Sequence, residues 1–369
     1  MTDAAAVAVK GLFWGSLGAL AWTHALYPPA AAALARLREQ RVAKRDIEPA
    51  VTMIVAAYNE ETVIERRLEN LRALDYPADK LELVVTSDAS GDRTEELAEA
   101  MGAHVIRNPR GGKVAAQDRA VRETAGEIVA FSDANATWAP DALRKLVRNF
   151  ADPQVAYVCG RLRLEQADGS NREGAYWRYE LWLRESESRL ASVTGGNGSI
   201  YALRRTDYVE VDPRFGHDLA LPYLLVQRGR RAVYEPEAHA YEQPTPSNES
   251  EYRRKVRMFE HCWLIMLRGR MLRGLPPLYR LQIVSHRVLR YGSGVLHVAL
   301  LASSLALAGE GRLYLLVLAG QLALLAAAAA GVGLARYYVL VTGATLVSLR
   351  NYLQRGVPAT WEAAEGTRA

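Results

Sequence analysis

The sequence predicts an α/β protein, a mostly parallel sheet in one central domain, flanked by transmembrane helices. Three observations carry this. Between residues 51 and 150, short apolar runs alternate with stretches of helical spacing, the pattern of βαβ units. The apolar runs end in polar residues such as Asn59, Asp88 and Asp133, at the carboxyl edge where open α/β sheets bind ligands. Both ends of the 369-residue chain hold uncharged stretches long enough for a bilayer.

In chain order, residues 11–35 carry no charge and include Trp14, Trp22 and Tyr27, which suits a membrane span. Pro28 and Pro29 are expected to break or kink it near its end. The run exceeds the apolar core of a secretory leader, and Lys10 is the only early positive charge, so a span is favoured over a leader. A charged connector, 36–48, leads into 51–57, apolar almost throughout as a central parallel strand should be. It stops at Tyr58-Asn59-Glu60-Glu61, and apolar residues at 63, 64, 68, 71 and 74 then predict a helix closed by Tyr76-Pro77. A second strand, 81–85, ends in Ser87-Asp88 and a turn through Gly91-Asp92 before a helix over 93–101. A short strand, 104–107, precedes Pro109-Arg-Gly-Gly-Lys113 and a helix to about 124. Residues 128–131 are too few for a helix and predict a strand buried on both faces; Pro140 and Asp141 open the helix that follows. Asp133 and Asn135, spaced i and i+2 on the intervening turn, can offer oxygen to a hard divalent cation shared with a diphosphate. Taken alone the pair reads more simply as a turn.

The ordered series Val-Ala-Ala57-Tyr58-Asn-Glu60, Ser-Asp88-Ala-Ser-Gly-Asp, Gly-Gly-Lys113 and Ser-Asp133-Ala-Asn135 resembles the nucleotide-sugar-binding half of family 2 glycosyltransferases, similar to the processive polysaccharide synthases, over roughly residues 50–260. The resemblance implies the GT-A fold, a Rossmann-like catalytic domain. It also implies that Ala57, Tyr58 and Glu60 hold the nucleoside and that Asp88 binds the base or ribose of a UDP-type donor. Lys113 would approach the uracil or the phosphates, and Asp133 with Asn135 would stand at the family's D-x-D metal motif, binding magnesium or manganese. Asn135 replaces the second Asp and weakens the site. A cation and a lysine there would stabilise the leaving diphosphate. Asp118, five residues after Lys113, reads as a solvated helix residue.

Farther along, 155–159 predicts a strand, and 176–190 reads as an amphipathic surface helix carrying Trp177 and Trp182. Gly195, Gly196 and Gly198 permit close backbone approach, and the family has a similar segment near the acceptor sugar, which makes Gly196, Asn197 and Gly198 candidate acceptor residues. Phe215-Gly-His-Asp218 resembles the family's acidic motif, whose last Asp is the general base; a helix N-cap is the plainer reading of Asp218 in isolation. His217, in place of an acidic neighbour, either tunes Asp218 or packs. Arg254 and Arg257 lie where processive members carry Q-x-x-R-W, with Met258 in place of Trp. At i and i+3 they can serve one anion, clamping the diphosphate or shaping the acceptor channel, or rest on anionic lipid. Trp263 is a weak substitute for the missing aromatic platform.

Residues 275–290 mix apolar and basic residues, as an interfacial helix does, with His286 at headgroup level or packed. Uncharged runs at 291–309 and 313–335 predict two more spans, and 337–349 is short for a span. The expected organisation is 1–36 N-terminal transmembrane helix, 37–270 catalytic domain, 271–290 interfacial helix, 291–353 transmembrane helices and 354–369 tail. Basic residues after the first span (Arg36 to Arg45) and before the second (Arg268 to Arg290) place the catalytic domain in the cytoplasm, at the cell membrane. A net charge of +5 suits an anionic lipid surface, and no stripe resembling a nucleic-acid module is present. With only Cys159 and Cys262, far apart, no structural disulfide is expected. The reading is an inverting membrane hexosyltransferase moving a sugar from a nucleotide-sugar, UDP-linked, to a membrane-associated or growing polysaccharide acceptor. Two alternatives stand beside it: transfer to polyprenyl phosphate, giving a lipid-linked sugar, and a non-catalytic sugar-nucleotide sensor. Few helices are available to line a pore, so a homo-oligomer or an accessory membrane protein is a candidate partner.

Overall fold

The computed structural model describes residues 3–164, 174–243 and 248–360. Eight strands form one sheet: β1 (Val51–Ala57), β2 (Leu81–Asp88), β3 (His104–Asn108), β4 (Ile128–Asp133), β5 (Thr137–Trp138), β6 (Val155–Leu164), β7 (Tyr201–Arg204) and β8 (Arg231–Glu242). Their order is β3-β2-β1-β4-β7-β6-β8-β5. β1 lies between β2 and β4, both parallel to it, and alternate side chains serve opposite layers. Val51, Met53 and Val55 pack with Ile64, Leu68 and Leu71 of the first helix, while Ile54 joins Val114, Val121 and Phe131 on the other face. Two-sided burial is why β1 and β4 read as unbroken apolar runs. Beyond β4 the chain reverses: β7 is antiparallel to both β4 and β6, and β6 pairs in parallel with β8. The sheet is therefore parallel in its first half and mixed in its second.

The N-terminal helix continues through the prolines instead of breaking. A π-helical turn, Trp22–Leu26, resets the hydrogen-bond ladder, and Pro28 and Pro29 fall in the first turn of Tyr27–Leu37, where a missing N–H goes unneeded. A second π-helical turn, Val284–Val288, faces the first; the Ser285 carbonyl accepts from Thr23 Oγ1 (2.6 Å), and Ser285 Oγ accepts from Trp22 Nε1 (2.8 Å). Among the described residues two helices, Asp3–Leu37 and Arg312–Ala329, are long and apolar enough to cross a membrane. The expected span at 291–309 is one limb of a bent pair, Pro277–Tyr291 and Ser293–Ala306, which meet at 65° and make a third span if taken together. Residues 337–349 belong to a longer helix, Gly333–Arg355, outside those candidate spans; it packs along Asn248–Arg268.

That packing bears on two expectations. Trp263 is buried, its indole N–H donating to the Thr345 carbonyl at 3.0 Å, so it is no platform for a sugar. Helix Ala175–Leu190 keeps Trp182 exposed, as an amphipathic surface helix does, but its other side is more deeply covered than expected: Leu183 and Glu187 are fully buried, because helix Tyr27–Leu37 packs on it. Cys159 and Cys262 are buried free thiols. Of the expected tail, 361–369 lies outside the described residues.

Candidate active site

The turns after β1 and β2 clip together at the carboxyl edge of the sheet. Asn59 takes a left-handed conformation (φ 54°), its Oδ1 accepts from the Gly91 N–H (2.8 Å), and the Glu60 N–H donates to Thr94 Oγ1 (2.7 Å). Beside them Asp88 is buried, and its carboxylate accepts the Gly111 N–H at 2.7 Å, the Gly112 N–H at 3.0 Å and the Arg110 guanidinium. Arg110 also lies 3.4 Å over the Tyr58 ring. Asp88 thus fixes the Gly-Gly turn that presents Lys113.

Lys113 forms an ion pair with Asp133 at the tip of β4. Asn135 is half-buried in the turn closed by the Ala136 N–H on the Asp133 carbonyl (3.3 Å). Ser199 Oγ reaches both Asp133 (3.3 Å) and Glu242, the last residue of β8. Burial and the Asp133 carboxylate push the Glu242 carboxyl up to about 7, against the pull of Ser199, Arg254 and Lys113. Behind this pair the buried Arg67 guanidinium donates to Ser132 Oγ at 2.8 Å.

The glycine-rich segment leads from there to Asp218. A Cβ on Gly198 would lie 3.2 Å from Lys113 Nζ and 3.5 Å from Asp133 Oδ2; the Gly196 N–H donates to the Asp218 carbonyl at 2.7 Å. Asn197 spends its side chain on the loop itself: Nδ2 donates to the Gly160 carbonyl (2.7 Å) and Oδ1 accepts from the N–H of Ile200 (2.9 Å). It shapes the loop instead of facing a ligand. Both Asp133 and Asp218 act on the Tyr201 hydroxyl, which burial drives well above its ordinary range. His217 is buried, with Nδ1 3.0 Å from Tyr201 Oη. Asp118, expected in solvent, is buried and accepts from Tyr208 Oη at 2.5 Å. Arg254 and Arg257 do not close on one anion. Arg254 makes a two-pronged pair with Glu251 (2.9 Å each), while Arg257 borders a hollow with Glu260, Arg355 and Val357.

Residues 52–211 match the family model "Glycosyl transferase family 2". This segment is a family 2 glycosyltransferase domain. Similar proteins include a β-monoglucosyldiacylglycerol synthase of Synechocystis, 33% identical over 41% of this chain and 33% of its own length. An N-acetylglucosaminyltransferase of Rhizobium sp. is 27% identical over 53% of this chain and 48% of its own length. The chain thus spans a third to a half of these relatives. A mannosyltransferase of Pyrobaculum calidifontis, solved with GDP-Man and Mn2+, superimposes over 96% of this chain and 99% of its own with a TM-score of 0.73 at 24% identity. That likeness is one of fold, and it places the sheet in the GT-A class.

Several residues of the family 2 domain's edge escape a reading by motif. Arg110, Ser199 and Glu242 are such residues, each brought in by turns or by the mixed half of the sheet. On the membrane side, Glu187 accepts from Tyr27 Oη (2.6 Å) and Thr194 Oγ1 (2.8 Å) and lies 2.9 Å from His286 Nδ1. His286 Nε2 is 3.2 Å from Glu180, which also pairs with Arg290. Of the two expectations for His286 the packed one holds: it is buried between Glu187 and Glu180.

Proposed function

We propose that the protein is a membrane-bound glycosyltransferase that moves a sugar, with inversion, from a nucleotide-sugar to an acceptor held at the bilayer surface. The observation behind this is the unbroken line of groups from Asp88 through Gly112, Lys113, Asp133, Gly198 and Gly196 to Asp218. A donor lying along that line has its nucleoside against Ala57, Tyr58, Glu60 and Asp88 and its diphosphate at Lys113 and Asp133, with Arg254 beyond Glu242. Its sugar then points towards Asp218. Asp218 takes the proton of the acceptor hydroxyl as that oxygen attacks the anomeric carbon from the face opposite the leaving group.

The residues suit a divalent cation, magnesium or manganese. An ion shared with the donor diphosphate would take part of its oxygen ligands from the phosphates. Asp133 and Asn135 would hold it, and it would neutralise charge on the departing diphosphate.

We take the donor as UDP-linked on the resemblance of the Asp88 turn; the solved relative carries GDP-Man, so the base is a matter for experiment. The apolar helices at both ends and the basic residues beside them support a place in the cell membrane with the catalytic domain in the cytoplasm. Names among the relatives, a glucosyldiacylglycerol synthase and a poly-β-1,6-N-acetyl-D-glucosamine synthase, fit glycolipid or polysaccharide acceptors. Membranes containing the protein, incubated with UDP- and GDP-sugars plus Mg2+ or Mn2+, are expected to release free nucleotide from one donor. Release from none of them would refute the proposal.

A further inference from the structure

Two arginines from two elements reach the glycine-rich loop that hydrogen-bonds to Asp218, a lysine from a third lies nearby, and donor binding gives none of them a task. Arg184, on helix Ala175–Leu190, donates from Nη2 to the Gly196 carbonyl at 3.3 Å; its Nη1 is buried with no hydrogen-bond partner among the described residues. The Tyr157 hydroxyl next to Gly196 is likewise buried and unpartnered. Arg287, in the π-helical turn Val284–Val288, donates to Thr194 Oγ1 at 3.0 Å and stands so close to Gly195 that a Cβ there would lie 2.7 Å from its Nη2. Lys255, on helix Asn248–Arg268, meets Glu251 at 3.6 Å, and both oxygens of that carboxylate already serve Arg254 at 2.9 Å. Asp218, Arg287 and Lys255 all act electrostatically on the Cys262 thiol, and Asp218 and Arg184 on the Tyr157 hydroxyl, so the six groups share one neighbourhood. The carboxylates that act on Arg287, Glu187 and Glu180, are engaged by Tyr27, His286 and Arg290.

Buried cationic groups with donor capacity to spare are costly unless an anion joins them. Two guanidinium groups, an ammonium and a phenol hydroxyl are the donor set of a phosphate site. Arg287 belongs to Pro277–Tyr291, the segment that leads into Ser293–Ala306, one limb of a candidate membrane span. Asp218 limits what the anion does: a phosphate oxygen is already deprotonated and would be repelled by a carboxylate, whereas a hydroxyl needs one.

Building on the glycosyltransferase reading, we propose that the acceptor is a phosphate-bearing lipid whose headgroup carries the accepting hydroxyl. Arg184, Lys255 and Arg287 hold the phosphate, and Asp218 receives the hydroxyl proton. The hydroxyl oxygen forms the new bond to the anomeric carbon, the bond from that carbon to the diphosphate oxygen breaks, and the nucleoside diphosphate leaves with the electron pair. The acceptor phosphate is unchanged. A phosphoglyceride with a hydroxylated headgroup and a sugar linked to an isoprenoid phosphate share this chemistry.

The test uses the full chain in phosphatidylcholine nanodiscs with the radiolabelled donor identified by nucleotide release. The discs carry phosphatidylinositol, an isoprenoid-diphosphate sugar or neutral diacylglycerol. Label is expected in the first or second lipid, which tells the sources apart, at about tenfold or more above the third. Arg184→Gln and Lys255→Ala are expected to raise the acceptor KM by about tenfold and leave the donor KM within about twofold, with Lys255→Arg restoring most of the loss. Should R184Q not fold, the Lys255 pair carries the test. Equal labelling of neutral diacylglycerol, or variants that change the donor KM and spare the acceptor KM, would overturn the inference. Absence of nucleotide release by the unaltered protein would overturn the underlying reading, and this inference with it.

Discussion

At the scale of single residues, Asp218 bears the heaviest chemical assignment. Asp218→Asn keeps the size of the side chain and the backbone carbonyl that accepts from Gly196, and removes only the capacity to take a proton. Transfer is expected to fall by about 10²- to 10⁴-fold with nucleotide affinity within about twofold, as read from labelled product and from calorimetric titration of the donor nucleotide. A comparable transfer rate in the variant would remove Asp218 from the mechanism. Gly196 tests the neighbouring loop. A methyl there would run into the Tyr157 hydroxyl and lie 3.2 Å from the Cys159 Cβ, both on a central strand that cannot give way. Gly196→Ala should therefore cost roughly 1–3 kcal/mol of stability, visible as a lower Tm in detergent, and should impair acceptor use more than nucleotide binding. A Tm within a degree of the parent would mean that the loop adapts. Asp88 and Asp133 could be read from sequence because each closes a largely apolar strand, and Lys113 because it follows the Gly-Gly turn of a recognisable motif. Glu242 and Arg184 could not, since nothing local distinguishes them from the many surface acids and arginines of the chain.

At the scale of elements, the parallel strands were legible and the mixed half of the sheet was not. β1 and β4 announce themselves by two-sided burial, whereas β8 runs through Glu235-Pro-Glu237 and His239, a pattern set by its partners β6 and β5. The two π-helical turns were equally hidden, because each depends on the other through Thr23, Trp22 and Ser285. The cluster that joins helix Ala175–Leu190 to the membrane side gives a pH prediction. Burial alone would raise the Glu180 carboxyl; Arg290 and His286 outweigh it and hold it well below the carboxylate range. A depressed carboxyl binds fewer protons folded than unfolded, so its contribution is present above its unfolded value of 4.5 and is lost as pH falls below it. The Tm should drop as pH falls from about 5 to 3. Glu180→Gln should lower the Tm at pH 7 and make that acid decline shallower; an unchanged acid decline would show that Glu180 does not hold the cluster together.

At the scale of the whole molecule, the sequence reads as a soluble domain with membrane helices attached, and the structure ties the two together more closely than that. The catalytic domain buries polar groups whose partners come in part from the membrane-side segments. Tyr27 and His286 serve Glu187, the Gln282 amide donates to the Glu187 carbonyl at 3.1 Å, and Tyr279 Oη donates to the Val193 carbonyl at 2.8 Å. On the far side Asn351 donates to Glu260 at 2.7 Å, and Trp263 is sealed by the helix Gly333–Arg355. Removing residues 1–37 and 271–369 would leave the Glu187 carboxylate with Thr194 alone and expose the apolar faces around Leu183, Trp263 and Ile265, all buried in the intact chain. Each stranded polar group costs on the order of 1–3 kcal/mol, and together such losses rival the 5–15 kcal/mol that holds a typical domain folded. The fragment 38–270 is therefore expected to be poorly soluble, to bind a hydrophobic dye and to lack a sharp melting transition, while the full chain in detergent melts cooperatively. A soluble fragment that melts sharply within a few degrees of the full chain would mean that the membrane helices are an anchor only and take no part in building the site.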